Sequence, residues 1–192
     1  MNSFRIQAFD DGYFPVQYKG CRGKTIITGV ETKGFQINKV CWKPVTVDGR
    51  ETSSVVIELS KLMGSPDLLI LDGITYAGFD TADPDEIYLN TNTPVVVVQQ
   101  YPLDLDNIRE ALYRNFSDAD ERYSVIKKVV DKFQYLDTPW KTIQFYATGI
   151  ELDKARIILL KTMIYSPIPE PLRIAHSIAS ILSRRLFSVV ID

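Results

Sequence analysis

The sequence predicts an α/β fold in which a mixed sheet is flanked by helices. Three observations lead to this class. Residues 4–9, 25–30 and 35–47 are three successive segments of strand-like composition near the N-terminus. Residues 68–71 and 94–98 are short continuous apolar runs, as expected of strands that are buried on both faces. Segments with helical spacing of apolar residues separate and follow these runs, so we expect helices to cover the sheet.

The first three strands are predicted to form an antiparallel meander. The first strand stops at the turn Asp10-Asp11-Gly12, and the third ends at Asp48-Gly49. Proline cannot donate a ladder hydrogen bond, so Pro44 within the third strand indicates an edge position, a bulge or a bend. We therefore expect the segment 35–47 to be broken near Lys43-Pro44.

The rest of the chain alternates between helices and strands. Thr52 or Ser53 can cap a first helix, whose apolar residues recur at helical spacing as far as Met63. Further helices are predicted over residues 104–116, 123–133, 151–164 and 172–186, and a further strand over residues 142–147. The predicted order is β-β-β-α-β-α-β-α-α-β-α-α, with the first seven elements as the core. The later strands are expected to run parallel.

Length and composition are those of one globular domain spanning residues 1–192. The chain is 45% hydrophobic and 24% charged, with a net charge of −2. The chain therefore has no overall positive charge that could attract nucleic acid. A net charge of −2 still allows a local basic cleft. A single histidine and the lack of a C-x-x-C pair argue against zinc, and Cys21 and Cys41 are expected to be free thiols.

Targeting signals are not evident in the sequence. The N-terminal residues lack the apolar core of a signal peptide, and the longest apolar runs are too short to cross a bilayer. The expected location is therefore the cytoplasm, with no membrane association. The mixed charges of residues 118–122 are expected to lie on a solvated helix start or loop.

Three aspartates stand where predicted strands end: Asp10, Asp48 and Asp72. Sites in sheet-based α/β folds collect at strand ends. Clustered carboxylates repel one another unless a cation lies between them, and Mg²⁺ or Mn²⁺ prefers oxygen ligands. Such ions can activate water and stabilise charge on a phosphoryl group, which is nuclease chemistry. Asp-Gly is also a common turn dipeptide, so each aspartate has a purely structural interpretation as well.

A few other residues are candidates for a supporting role. His176, the only histidine, lies on the last predicted helix near Arg173, and it could equally be a packed or surface polar residue. Tyr13 and Tyr76 follow the acidic positions closely and could stack on a base, although packing in the core is the alternative for each.

Four motifs resemble a known family. They are FDDGYF at residues 9–14, VDG at 47–49, LDGITYAGF at 71–79 and IPEPLRIAH at 168–176. On these residues the chain resembles a mainly archaeal family, sometimes named endonuclease dU, that is related to endonuclease V. The resemblance implies a ribonuclease H-like fold, a divalent-metal site and action on nucleic acid that contains a deaminated base.

The resemblance also implies roles for individual residues. Asp10 is similar to the first-strand metal aspartate, and Asp72 to the aspartate of a strand-then-Asp-Gly motif. Endonuclease V places a glutamate before its first helix, where this chain offers Asp48, which we favour, or Glu51. Asp11 is a further supporting candidate. The chain departs from endonuclease V in two places. After the Asp-Gly motif, endonuclease V has a second glycine and then a histidine, where this chain has Ile74, Thr75 and Tyr76. After the next strand, endonuclease V has a lysine, and this chain has Gln99 and Gln100 near that place.

Three hypotheses for function follow. The first is a metal-dependent endonuclease that uses Asp10, Asp48 and Asp72 with Mg²⁺ or Mn²⁺ on deaminated or damaged DNA or RNA. The second is a non-catalytic module on the same fold that binds nucleic acid or a protein. The third is a hydrolase of a small phosphorylated compound, which a pocket too narrow for a nucleic-acid strand would favour.

Overall fold

The computed structural model describes residues 4–187. Its main sheet has seven strands in the order β3-β2-β1-β4-β7-β9-β8, and a separate two-stranded hairpin consists of β5 and β6. The strands are β1 (Arg5–Asp11), β2 (Lys24–Lys33), β3 (Gln36–Thr46), β4 (Leu68–Asp72), β5 (Thr75–Tyr76), β6 (Asp80–Thr81), β7 (Val95–Gln99), β8 (Gln134–Asp137) and β9 (Thr142–Thr148). The helices are α1 (Thr52–Met63), α2 (Pro84–Thr91), α3 (Leu105–Asn115), α4 (Ala119–Val130), α5 (Leu152–Thr162) and α6 (Glu170–Phe187), with a short 3₁₀ helix at Val16–Tyr18.

The predicted N-terminal meander is present. β1 pairs antiparallel with β2, and β2 with β3. β3 is the edge strand, so Pro44 is tolerated opposite Ile26 without interrupting the ladder. The expected break near Lys43-Pro44 was wrong: the one register shift in this pairing lies between Glu31 and Thr32 of the neighbouring strand.

The two continuous apolar runs are the central strands. β4 pairs parallel with β1, and β7 pairs parallel with β4. The first four residues of each of these two strands are buried, because helices cover both faces of the sheet. One large core cluster lies on the side of α1 to α4 and contains Phe9 and Leu71, and a second lies on the side of α5 and α6 and contains Ala8 and Ile70.

Two further predictions were wrong, one for the direction of β9 and one for the start of α1. β9 runs antiparallel to β7, because it is joined in a hairpin to β8, a strand that the sequence did not reveal. The start of α1 also differs from expectation. Glu51 rather than Thr52 or Ser53 is the capping residue, and the amides of Glu51 and Thr52 donate to the Asp80 carboxylate at 2.8 and 3.0 Å.

The topology brings particular residues to one edge of the sheet. The carboxyl ends of the parallel strands β1 and β4 meet there, and α6 packs across β1 and β2. In residues 4–187, the helices all fall short of the length and apolar character that a membrane span requires.

Candidate metal centre

Three side chains converge where β1 and β4 end. Asp10 lies on β1, Asp72 is the last residue of β4, and His176 lies on α6. Each offers one ligand atom, and the three atoms lie within 4.8 Å of one another. Asp10 is 4% exposed, whereas the His176 side chain is 62% exposed. The group is therefore anchored in the sheet on one side and open to solvent on the other.

Hydrogen bonds fix two members of the group. One Asp10 oxygen lies 2.6 Å from His176 Nδ1, and the other accepts the Asp11 amide at 2.8 Å. Among residues 4–187, the Asp72 carboxylate accepts no hydrogen bond. Its oxygens thus retain their lone pairs for a ligand from outside the chain.

The electrostatics of the group call for a cation. Burial, reinforced by the charge of Asp10, raises the pKa of Asp72 from 3.8 to about 7. Burial and the charge of Asp10 likewise raise the pKa of Asp11 to about 7. The hydrogen bond with Asp10 raises the pKa of His176. A bound divalent cation would offset this excess of negative charge.

Asp11 and Tyr76 brace the loop that follows β4. The Asp11 carboxylate accepts a hydrogen bond from the Ala77 amide. The Tyr76 hydroxyl donates to the Phe9 carbonyl at 3.1 Å, and Tyr76 is 1% exposed. The predicted stacking role is not supported for Tyr76, because its ring lies in the core and cannot reach a base.

The structure places Asp48 outside the group. Its carboxylate oxygens accept the amides of Gly20 at 2.8 Å and Phe79 at 2.9 Å, and the residue is 3% exposed with a φ of 60°. Its carbonyl accepts a hydrogen bond from Arg122 at 3.1 Å. Asp48 thus ties together three segments of chain. This geometry supports the turn interpretation of Asp48 rather than the predicted role as a ligand.

Arg122 completes this junction and corrects another expectation. The mixed charges of 118–122 predicted a solvated helix start or loop. The segment does begin α4 and exposes Asp120 and Glu121, but Arg122 is only 7% exposed. Its guanidinium donates to the carbonyls of Gly49 at 2.9 Å and Phe79 at 2.7 Å and pairs with Asp118. An isolated charge pattern could not reveal this role, because the acceptors lie more than forty residues away in sequence.

The remaining candidates lie around the group. The Glu51 carboxylate accepts the Thr46 amide at 2.5 Å and closes the turn before α1, so it is not a member of the converging set. Arg173 forms an ion pair with Glu170 at the start of α6. Tyr13 is 45% exposed, and the Arg184 guanidinium lies 4.2 Å from its ring centroid. Of the two predicted stacking residues, only Tyr13 is accessible.

The donor set fits a divalent cation. Two carboxylates suit Mg²⁺ or Mn²⁺, and an imidazole adds affinity for a transition metal such as Mn²⁺. Asp10, Asp72 and His176 would hold the ion. Asp11 would remain next to it as a carboxylate outside the set of ligands.

Comparison with known proteins identifies the family. The family model Endonuclease dU matches residues 2–183. A UPF0215 protein of Thermococcus sibiricus is 40% identical over 179 residues, which cover 92% of this chain and 90% of that protein. A UPF0215 protein of Sulfurisphaera tokodaii is 32% identical over 183 residues, covering 95% of this chain and 97% of that protein.

Solved structures agree on the fold. A crystal structure of an Archaeoglobus fulgidus protein has a TM-score of 0.79 at 23% identity, over 94% of this chain and 98% of that one. Ciona intestinalis endonuclease V, in complex with a 23mer DNA containing an inosine, has a TM-score of 0.62 at 14% identity, over 95% of this chain and 86% of that one. The predicted ribonuclease H-like fold is thereby confirmed. The chain belongs to the Endonuclease dU family and has the fold of endonuclease V.

Proposed function

We propose that this protein is a divalent-metal-dependent endonuclease that acts on DNA or RNA with a deaminated or damaged base. The observation that carries the proposal is the convergence of Asp10, Asp72 and His176 at the carboxyl ends of β1 and β4. Membership of the Endonuclease dU family and the fold shared with endonuclease V support the same reaction class.

The residues of the group have distinct tasks in this proposal. Asp10 and Asp72 would hold Mg²⁺ or Mn²⁺, and His176 would complete the set from α6. The bound ion would activate water and stabilise charge on the phosphoryl group. Asp11 keeps the loop after Asp72 in place through the amide of Ala77. The exposed flank of His176 leaves room for a nucleic-acid strand to approach.

The test is nicking of end-labelled oligonucleotides. DNA and RNA strands with a single uracil or hypoxanthine are incubated with the protein in Mg²⁺, in Mn²⁺ or in EDTA. We expect metal-dependent nicking near the modified base, and we expect Asp72→Asn to abolish this nicking. Glu151→Gln is a matched control, because Glu151 is exposed and lies with Phe4 and Asp67 at the opposite edge of the sheet.

Two other outcomes would redirect the proposal. Binding without nicking in either metal, with Asp72→Asn binding as well as the parent chain, would favour a non-catalytic binding module. Hydrolysis of small phosphorylated compounds, with nucleic acid left intact, would favour a hydrolase of small molecules. Either result would refute endonuclease activity on these substrates.

A further inference from the structure

Helix α6 has two flanks that differ in character. With about 100° of rotation per residue, Arg173, His176, Ser177, Ser180 and Arg184 fall within one arc of about 100°. We call these five residues the polar flank of α6. On the other side lie Ile174 and Ile178, which pack against the second core, together with the exposed Ile181.

The polar flank passes the candidate metal centre at His176 and continues along α6 to Arg184. His176 contacts Asp10 through Nδ1. Further along α6, a Cβ built on Gly12 would lie 2.4 Å from Ser183 Cβ, so the helix passes directly over the end of β1. The next residue, Arg184, stacks its guanidinium on the ring of Tyr13, with its carbon 4.2 Å from the ring centroid.

The dimensions suit a nucleic-acid strand. At about 1.5 Å per residue, Arg184 lies about 12 Å along the helix axis from His176. A strand with stacked bases rises about 3.4 Å per nucleotide along its axis, so this span corresponds to three or four stacked nucleotides. Ser180, which is half-buried, offers a hydroxyl between the two ends, whereas the Ser177 hydroxyl donates to the Arg173 carbonyl at 3.0 Å. A guanidinium binds a phosphate through two parallel N–H donors in one plane. Stacking on the Tyr13 ring limits the orientations of the Arg184 guanidinium.

We propose that the polar flank of α6 is the track of the substrate backbone, and that Arg184, oriented by Tyr13, binds a phosphate three or four nucleotides from the metal centre. The inference rests on the proposed function only in taking nucleic acid as the ligand. It assigns a binding task to Arg184 and a positioning task to Tyr13. Arg173 is already paired with Glu170, so the principal cation of the track is Arg184.

Neighbouring Arg185 provides a matched control. It is exposed like Arg184 and belongs to the same last turn of α6. It points about 100° further round the helix, outside the polar flank. Arg184→Gln and Arg185→Gln thus remove the same charge from nearly the same place. If only the overall charge of the protein mattered, the two variants would bind DNA equally well. A direct phosphate contact would make Arg184→Gln bind more weakly than Arg185→Gln.

The experiment measures binding in EDTA, where nicking does not occur. The probe is a fluorescein-labelled 16-nucleotide single-stranded DNA with one hypoxanthine, followed by anisotropy at several salt concentrations. Arg184→Gln is expected to weaken binding about ten-fold, as loss of a charged hydrogen bond does. It should also lower the slope of log affinity against log salt by about 0.7. Arg184→Lys should retain the slope, and Arg185→Gln should match the parent chain.

The outcomes separate this inference from the proposed function. Equal losses in Arg184→Gln and Arg185→Gln, or an unchanged salt slope in Arg184→Gln, would overturn the assignment of Arg184. A lowered melting temperature in Arg184→Gln with an unchanged slope would mean that the pair with Tyr13 only packs the helix. Binding that depends on Arg184, together with an absence of nicking in Mg²⁺ and Mn²⁺, would uphold the track and refute the endonuclease.

Discussion

Replacing Asp72 with asparagine should stabilise the metal-free protein while it removes the metal site. Burial and then the charge of Asp10 raise the pKa of this carboxyl from 3.8 to about 7, and no hydrogen-bond donor in residues 4–187 offsets them. An elevation of this size corresponds to about 4 kcal/mol of unfavourable free energy for the ionised form in the folded state. Asparagine has the same shape without the charge, so it relieves this cost.

The sign and the pH range follow from linkage. A carboxyl with a raised pKa in the folded state binds its proton more tightly there than in the unfolded chain. Its stabilising contribution is complete below pH 3.8, declines as pH rises, and is lost above about pH 7. The stability gain of Asp72→Asn should therefore be about 4 kcal/mol at pH 8 and under about 1 kcal/mol at pH 4.

Urea unfolding in EDTA at pH 4, 6 and 8 measures this difference. A second series in Mn²⁺ at a hundred times its dissociation constant should stabilise the parent chain by about 2.7 kcal/mol and leave Asp72→Asn unchanged. A gain that does not vary with pH would refute the raised pKa of Asp72 in the folded state. Equal stabilisation of both chains by Mn²⁺ would refute Asp72 as a ligand.

Two further predictions concern the same region. Mn²⁺ affinity should rise between pH 5.5 and pH 8, because the raised pKa values of Asp72 and His176 keep protons on these ligands, and the metal must displace those protons. Calorimetry in buffers of different ionisation enthalpy should detect the proton release. An affinity that does not depend on pH would contradict this prediction. Asp48→Asn should lose about 2–3 kcal/mol of stability, because one of the two backbone amides that donate to the Asp48 carboxylate would then face an NH₂ group. Urea unfolding measures this loss. The Mn²⁺ affinity of the variant should remain that of the parent chain.

Much of the fold could be predicted because its signals are local. Continuous apolar runs mark β4 and β7, since a strand buried on both faces has no polar side. β8 gave no such signal. It is a short edge strand in which only Leu136 is buried, and it follows directly on a helical pattern. The β8–β9 hairpin reverses the chain, so β9 runs antiparallel to β7. Without β8, the direction of β9 could not be predicted from the sequence.

The candidate site was only partly predictable, because convergence is a property of packing. Asp10 and Asp72 stand at the ends of adjacent parallel strands, which follows from topology once β1 and β4 are known. His176 lies 166 residues after Asp10 in the chain, and its spacing on a helix gave no indication of its partner. Asp48 had the same Asp-Gly context as Asp72. Only the left-handed φ and the amides around Asp48 distinguish this turn residue from Asp72, the candidate ligand.

The junction at Asp48 should make its variants temperature-sensitive. It connects the segment at Gly20, the loop at Phe79 and α4 through Arg122. A loss of about 2–3 kcal/mol lowers the melting temperature of a chain of this size by roughly 5–10 °C. An Asp48 variant should thus fail at high temperature and recover on cooling, whereas a chain without Asp72 should be inactive at any temperature. An activity screen at a single high temperature would score the two residues alike.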